Sequence, residues 1–177
     1  MRLGHIVFTV RDVDGMVDFY VRTLGFGIAD RGRARGRDDG PSLVFLSFDR
    51  RLVHHQLALL GPIDPLPAAG RVHHAAFEVD DLAALRRCWA AIANHEGVSG
   101  LDGPRPTAVF QGDQWSIRFR DPEGNGIEIY APSPWDVRQP FFQFMNLELD
   151  DEALTAWAAR ILAAHDHWPR GTRPASS

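Results

Sequence analysis

Three histidines and one glutamate stand at repeated places in this sequence, and together they could bind a divalent metal ion. His5 lies in the phrase LGHIVFTVRDVD, and His74 lies sixty-nine positions later in a similar phrase, HHAAFEVDDL. His55 and Glu128 each belong to the last apolar run before a proline-rich segment. Imidazole and carboxylate ligands suit iron, manganese, nickel and zinc, and two histidines with one carboxylate form the facial triad of non-haem Fe(II) oxygenases.

The similarity of the two phrases indicates an internal repeat that would position these side chains. In each copy a strand with alternating faces leads into an acidic turn and then a helix. His5, Val7 and Thr9 share one strand face, and His74, Ala76 and Glu78 share the matching face of the second copy. A pseudo-twofold axis between the copies would bring equivalent positions together, with His55 and Glu128 as equivalent positions on the last strands.

Hydrophobic periodicity predicts the remaining elements. Helices are expected near 14–23, 81–95 and 149–165, the last with Asp150 as its N-cap, and strands are expected at 42–48, 52–60, 114–120 and 127–131. Each half therefore follows the order β-α-β-β-β, and a connector rich in proline and glycine separates the halves at 61–70. We predict an α+β fold with βαβββ modules at 1–62 and 71–132 that form a cup-shaped mixed sheet, followed by an extension at 133–177 with one helix.

Composition narrows the classes of function. The chain has 177 residues and a formal net charge of −4, which argues against a nucleic-acid partner. No apolar run approaches the roughly 20 residues that span a bilayer, and the N-terminus lacks the layout of a signal peptide. The lone cysteine, Cys88, is typical of a reducing compartment, so we expect a cytoplasmic protein with a small-molecule substrate. The aromatic segment after Pro134 makes a homodimer plausible.

Three phrases identify a family resemblance. The opening GHIVFTVRD…FY…LGF, the second opening HHAAFEVDD and the closing DPEGNGIEIY resemble the vicinal oxygen chelate superfamily over roughly residues 3–132. This superfamily includes glyoxalase I, type I extradiol dioxygenases, methylmalonyl-CoA epimerase and antibiotic-binding proteins. The resemblance implies paired modules around a divalent metal held by His5, His74 and Glu128, with Fe(II) expected first and manganese, nickel or zinc as alternatives. His73 lies on the opposite strand face and would not be a ligand.

The phrase HHQLAL at 54–59 helps to decide which branch of the superfamily the chain resembles. It is similar to the segment of extradiol dioxygenases in which the second histidine is an acid/base catalyst, which here would be His55. In the isomerase-like branch the same region carries a fourth metal ligand, so His55 supports both mechanisms.

The leading hypothesis is a ring-cleaving dioxygenase that acts on a catechol-like vicinal diol with O2. The alternatives are a glyoxalase- or epimerase-type isomerase or lyase and a metal-free protein that binds a small molecule such as an antibiotic.

The sequence departs from the extradiol pattern beside the predicted metal ligand. Extradiol enzymes carry a tyrosine ten residues before the ligand glutamate, where this chain has Arg118, and a further histidine near 109–111. Arg118 could bind a carboxylate or phosphate of an anionic substrate, or it could pair with Asp113 or Glu78. Trp115 and Tyr130 are expected to line the site and to stack on an aromatic substrate.

Overall fold

The chain forms two compact units. The structure is a computed structural model that describes residues 5–34, 39–49, 53–64 and 72–172. Described residues of 1–73, together with the turn 122–125, form the first unit, and those of 74–121 and 126–177 form the second. Most of the predicted connector at 61–70 lies outside the described residues.

The first unit is a four-stranded sheet with one helix. Its elements are β1 (Ile6–Thr9), α1 (Val13–Asp18) with a π-helical continuation (Phe19–Thr23), β2 (Gly27–Arg33), β3 (Ser42–Ser47) and β4 (Leu57–Gly61). The strands lie in the order β1-β4-β3-β2, and β1 runs parallel to β4. Asp12 caps α1, since its carboxylate accepts a hydrogen bond of 2.9 Å from the backbone N–H of Gly15.

The second unit repeats this order with a larger sheet. Its elements before the extension are β5 (Ala75–Glu78), α2 (Leu82–Ile92), β6 (Ser99–Gly100), β7 (Thr107–Phe110), β8 (Gln114–Arg120) and β9 (Gly126–Pro132). The sheet order is β11-β7-β8-β9-β5, with β6 paired to β8 and with β11 (Gln143–Phe144) supplied by the extension. As in the first unit, the first strand runs parallel to the last, because β5 pairs with β9.

The C-terminal extension packs as part of the second unit. Besides β11 it contains β10 (Trp135–Val137), α3 (Asp151–Leu162) and β12 (His167–Pro169). Arg86 of α2 binds the segment that leads into α3, because its guanidinium donates to the carbonyls of Leu147 at 3.0 Å and Leu149 at 2.7 Å and pairs with Asp151. Asp150 is the N-cap of α3, as predicted.

The predicted α+β fold, with two β-α-β-β-β modules and a C-terminal helix, is confirmed. One strand is shorter than predicted: β4 begins at Leu57 rather than at 52, so His54 and His55 precede it. Val53 forms its hydrogen bonds outside the β3–β4 ladder, since its N–H donates to the carbonyl of Asp49 at 3.1 Å and its carbonyl accepts from the Ser47 hydroxyl.

Strand alternation separates an apolar core from a polar face in the second unit. Ile117 and Ile129 are cross-strand partners, and both are buried, as is Leu85 of α2. Ser116, Arg118, Glu128 and Tyr130 occupy the alternate positions of β8 and β9 and therefore share the opposite face. Within the described residues, no helix has the length and hydropathy needed to span a membrane.

Candidate functional site

The centre of the candidate site in the second unit is the buried carboxylate of Glu128. Glu128 is 4% exposed on β9, an interior strand of the sheet, with Arg118 of β8 and Ala76 of β5 as its cross-strand partners. Its neighbours Ile127 and Ile129 point to the apolar side, as strand alternation requires. A buried carboxylate is costly unless it is paired or hydrogen-bonded, so its partners decide what it can do.

Three side chains surround this carboxylate. His74 Nε2 lies 2.9 Å from Oε2 of Glu128. Gln111 donates its amide N–H to Oε1, and Gln114 Nε2 lies 3.3 Å from the same oxygen. The two amides therefore hold one oxygen, while the other oxygen faces the imidazole of His74.

The pair formed by His74 and Glu128 fits a divalent metal ion in donor chemistry and spacing. Imidazole nitrogen and carboxylate oxygen ligands lie about 2.0–2.2 Å from such an ion, so two of them at a right angle are about 3 Å apart, close to the 2.9 Å seen here. Among the residues that the structure describes, no three His, Cys, Asp or Glu side chains form a group that could hold a metal ion. The predicted set takes His5 from the first unit and His74 and Glu128 from the second, and its convergence stays a prediction.

The histidines of the first unit also form a cluster. The rings of His5 and His55 have centroids 4.4 Å apart, and His55 lies edge-on to Phe45 at 4.7 Å. The Nδ1 atoms of His54 and His55 are 2.9 Å apart, so one of them donates and the other accepts. Nε2 of His55 is buried and has no hydrogen-bond partner among the described residues. Burial, together with nearby His5 and His54, lowers the pKa of His55, which favours the neutral ring.

Strand pairing corrects one sequence prediction. In the first unit Val7 pairs with Ala58, and in the second unit the repeat-equivalent Ala76 pairs with Glu128. Ala58 therefore occupies the position that matches Glu128. The predicted equivalence of His55 with Glu128 is wrong, because His55 lies in the turn before β4 rather than on the strand.

The three residues predicted to bind substrate lie in different surroundings. Arg118 pairs with Asp102 at 3.0 Å rather than with Asp113 or Glu78. Tyr130 shares the face of Glu128 and donates its hydroxyl to Glu78 at 2.9 Å, and burial with this hydrogen bond raises the pKa of Tyr130. The contacts of Arg118 and Tyr130 with a substrate stay predictions.

Trp115 lies on the face opposite Glu128. It is 2% exposed and stacks on Phe110, with ring centroids 4.4 Å apart. These contacts are those of a core residue, and they argue against the predicted stacking of Trp115 on a substrate.

Gln114 is the residue of the site that sequence reasoning missed, whereas Gln111 belongs to the stretch 109–111 that lacks the extradiol histidine. They flank a tight turn, Gly112-Asp113, in which the N–H of Gln111 donates to the carbonyl of Gln114 at 2.9 Å. Gly112 has φ of +86° there, and a Cβ at this position would lie 2.5 Å from Val137. The signal was present as Q-G-D-Q, because residues that flank a two-residue turn face the same side of a hairpin.

The comparison with protein families agrees with this topology. The Glyoxalase/Bleomycin resistance protein/Dioxygenase superfamily matches the chain over residues 2–129, which include the strands of the first β-α-β-β-β module and those of the second as far as the middle of β9. The chain belongs to this superfamily. Proteins of the superfamily are typically dependent on divalent metals and bind small molecules.

Two relatives of known sequence match parts of the chain. Biphenyl-2,3-diol 1,2-dioxygenase 3 of Rhodococcus globerulus is 27% identical over 133 residues, which are 72% of this chain. The uncharacterized protein YwbC of Bacillus subtilis is 34% identical over 83 residues, which are 47% of this chain. The chain spans 62% of the length of the first relative and 64% of the second.

Solved structures of the superfamily share the fold. A glyoxylase/bleomycin resistance protein/dioxygenase domain from Frankia sp. EAN1pec has a TM-score of 0.57 and 20% identity, over 75% of this chain and 93% of its own. The trypanothione-dependent glyoxalase I of Leishmania major has a TM-score of 0.51 and 17% identity, over 92% of this chain and 96% of its own. At these identities the likeness concerns the fold alone.

Proposed function

We propose that this superfamily member is a metal-dependent ring-cleaving dioxygenase that acts on a catechol-like vicinal diol. The observation that carries the proposal is the buried carboxylate of Glu128, which has one oxygen held by amides and the other 2.9 Å from His74. The match to a biphenyl-2,3-diol dioxygenase at 27% identity supports the same class of substrate.

The residues proposed to hold the metal are His5, His74 and Glu128. Fe(II) bound to them would act as a Lewis acid toward the diol and would relay electrons from the diol to dioxygen. Two histidines and one carboxylate leave positions open for substrate, which this reaction class requires. Gln111 and Gln114 keep one oxygen of Glu128 occupied, so the other oxygen would be the one that binds the metal.

His55 is proposed to move the proton of the substrate. Its Nε2 atom is buried and has no partner among the described residues, and its lowered pKa favours the neutral ring that can accept a proton. Acceptance at Nε2 requires the proton of His55 to lie on Nδ1, where it donates to Nδ1 of His54. A positioned general base contributes about 10²–10⁴-fold to the rate.

Oxygen uptake with a panel of diols tests this proposal. Protein purified without oxygen and loaded with Fe(II) is mixed with biphenyl-2,3-diol, catechol and 3,4-dihydroxybenzoate, and oxygen consumption and ring-cleavage absorbance are recorded. We expect the wild type to turn over at least one diol. The turnover rate should fall by about 10²-fold or more in the His55→Ala variant. The rate should not change in the control His73→Ala, which removes a histidine that is not a proposed ligand. Folded, iron-loaded protein that consumes no oxygen with any diol would contradict the proposal.

A second candidate is an isomerase, lyase or epimerase that uses the same ligands with a redox-inert metal. The amide of Gln111 on Glu128 and the guanidinium of Arg118 stand where extradiol enzymes carry histidine and tyrosine, which favours this alternative. Elemental analysis of freshly purified protein separates the two: nickel, zinc or cobalt without iron supports the second candidate, whereas iron supports the first.

A further inference from the structure

We propose that Arg118 binds a carboxylate of the substrate, so that the preferred substrates are aromatic diols with an acidic substituent. This inference rests on the proposed function and assigns the class of substrate. The residues that carry it all lie in the second unit.

The position of Arg118 relative to Glu128 is set by strand pairing. The two residues are direct cross-strand partners on β8 and β9 and share one face of the sheet. Directly opposite residues have Cβ atoms about 4.5–5.5 Å apart, and an arginine side chain reaches farther than that. A diol bound to a metal that Glu128 helps to hold would therefore have Arg118 within reach of a substituent on its ring.

The Nε donor of Arg118 is buried and unbonded among the described residues. Nη1 pairs with Asp102 at 3.0 Å, whereas the buried Nε has no hydrogen-bond partner among the described residues. Nε and Nη2 form one edge of the guanidinium, and that edge is a fork that binds a carboxylate through two parallel hydrogen bonds. A purely structural pair with Asp102 does not account for this second edge.

The surroundings favour an aromatic acid. The guanidinium lies 5.6 Å from the ring centroid of Phe142, whose side chain is 43% exposed. Exposed aromatic side chains change rotamer within nanoseconds, so Phe142 can swing aside to admit a ligand to Nε and stack on its ring. The side chain of Arg118 is only 13% exposed, and a charge-assisted hydrogen bond is stronger at such a site than in water.

Ligand selectivity, measured without turnover, tests the assignment. Calorimetry measures the affinity of the zinc-loaded protein, under anaerobic conditions, for the acid 3,4-dihydroxybenzoate and for its uncharged partner catechol. It also measures the affinity of the metal-free protein for the acid benzoate and for its uncharged partner benzyl alcohol. We expect the wild type to bind each acid roughly 10- to 100-fold more tightly than its uncharged partner, which is the range for hydrogen bonds to charged groups. Arg118→Gln should abolish this preference, and Arg118→Lys should restore part of it.

Two variants separate binding from structure and net charge. Arg160→Gln removes an exposed positive charge from α3 and should leave the preference unchanged. Asp102→Asn removes the negative charge that pairs with Nη1 and should keep or increase the preference. A purely structural role of Arg118 predicts instead that this variant loses stability and that neither protein prefers the acids. If Arg118→Gln does not fold, the wild type and Asp102→Asn still decide the question.

The outcomes for substrate class and for the reaction are distinguishable. Equal binding of the acid and its uncharged partner by the wild type overturns the role of Arg118 and leaves the dioxygenase proposal standing. A preference for the acids without oxygen uptake on any diol supports the anion site and contradicts the dioxygenase.

Discussion

The two units have the same order of elements but present different side chains at matching positions. In the first unit Val7 and Ala58 are cross-strand partners and both are apolar, and Val7 is 45% exposed. In the second unit the matching positions are Ala76 and Glu128, and the glutamate is 4% exposed with three polar side chains around it. A duplicated backbone therefore supports a buried charge in one copy and an alanine in the other.

The difference shows what a buried carboxylate needs beyond its strand position. Glu128 is accompanied by Gln111 and Gln114, which come from the turn between β7 and β8. Such donors offset the loss of hydration that burial imposes on a carboxylate. Ala58 has Val7 and Phe45 as its cross-strand partners, and neither side chain can donate a hydrogen bond. The chemistry of the second unit thus depends on a turn as well as on a strand.

The largest expected effect comes from removing the carboxylate. Glu128→Ala should lower the affinity for Fe(II) or zinc by more than the 10- to 100-fold that loss of an outer partner costs. His5→Ala should cause a comparable loss if both units supply ligands, as proposed. Metal titration with a competing chelator measures both affinities.

His73→Ala is the control for these two variants because it removes a histidine beside His74. Its affinity should equal that of the wild type. Unchanged metal affinity in Glu128→Ala would show that this carboxylate is not a ligand and does not distinguish the two units. Unchanged affinity in His5→Ala would show that the first unit does not supply a ligand through His5.

The next effect concerns the amide partner of Glu128. Gln111→Leu keeps the ligands but removes one of the two amide donors to Oε1, so metal affinity should fall about 10- to 100-fold. The same titration measures it, with circular dichroism as a check on folding. Gln143→Leu, an exposed change on β11, is the control. Equal affinities in the two variants would show that the turn does not support the carboxylate.

A charge placed at the matching position of the first unit tests the comparison from the other side. Ala58 is fully buried, so Ala58→Glu should lower the free energy of unfolding by at least about 2 kcal/mol, because its carboxylate finds no donor from Val7 or Phe45. Urea unfolding at neutral pH measures the change. Val7→Glu, on the exposed partner position, should change it by less than about 1 kcal/mol. Similar stability of the two variants would mean that both units tolerate a carboxylate there.

The smallest expected effect is the pH dependence due to Asp113, in the same turn as the glutamines. Burial raises the pKa of Asp113 above its ordinary value of 3.8, although its own backbone N–H and Arg170 act in the opposite direction. A raised pKa in the folded state favours the neutral carboxyl. The stability that it contributes is therefore complete below the unfolded-state pKa and is lost as pH rises through the folded-state pKa.

Replacing Asp113 with asparagine should remove this loss. Relative to the wild type, Asp113→Asn should be more stable at pH 7, and the difference should shrink toward about pH 4. Urea unfolding across this range measures it, with Glu148→Gln as an exposed control for the loss of one negative charge. A difference that does not vary with pH would contradict the assignment to this carboxyl.

The sequence was sufficient for the order of elements and for the face that carries Glu128. Alternation in IEIYA separates Glu128 from Ile127 and Ile129, and Asp150 marks the start of α3. These features depend on residues close together in the chain, so periodicity and capping preferences reveal them. The repeat between His5 and His74 is likewise visible in the letters alone.

Tertiary structure alone decided the partners. Strand register, and not spacing in the sequence, matched Glu128 with Ala58. The packing of a loop against β8 paired Arg118 with Asp102. Tertiary structure also placed the amides of Gln111 and Gln114 on the carboxylate of Glu128. The reason is physical: hydrogen bonds between side chains require atoms within about 3 Å of one another, and that proximity depends on how distant segments pair.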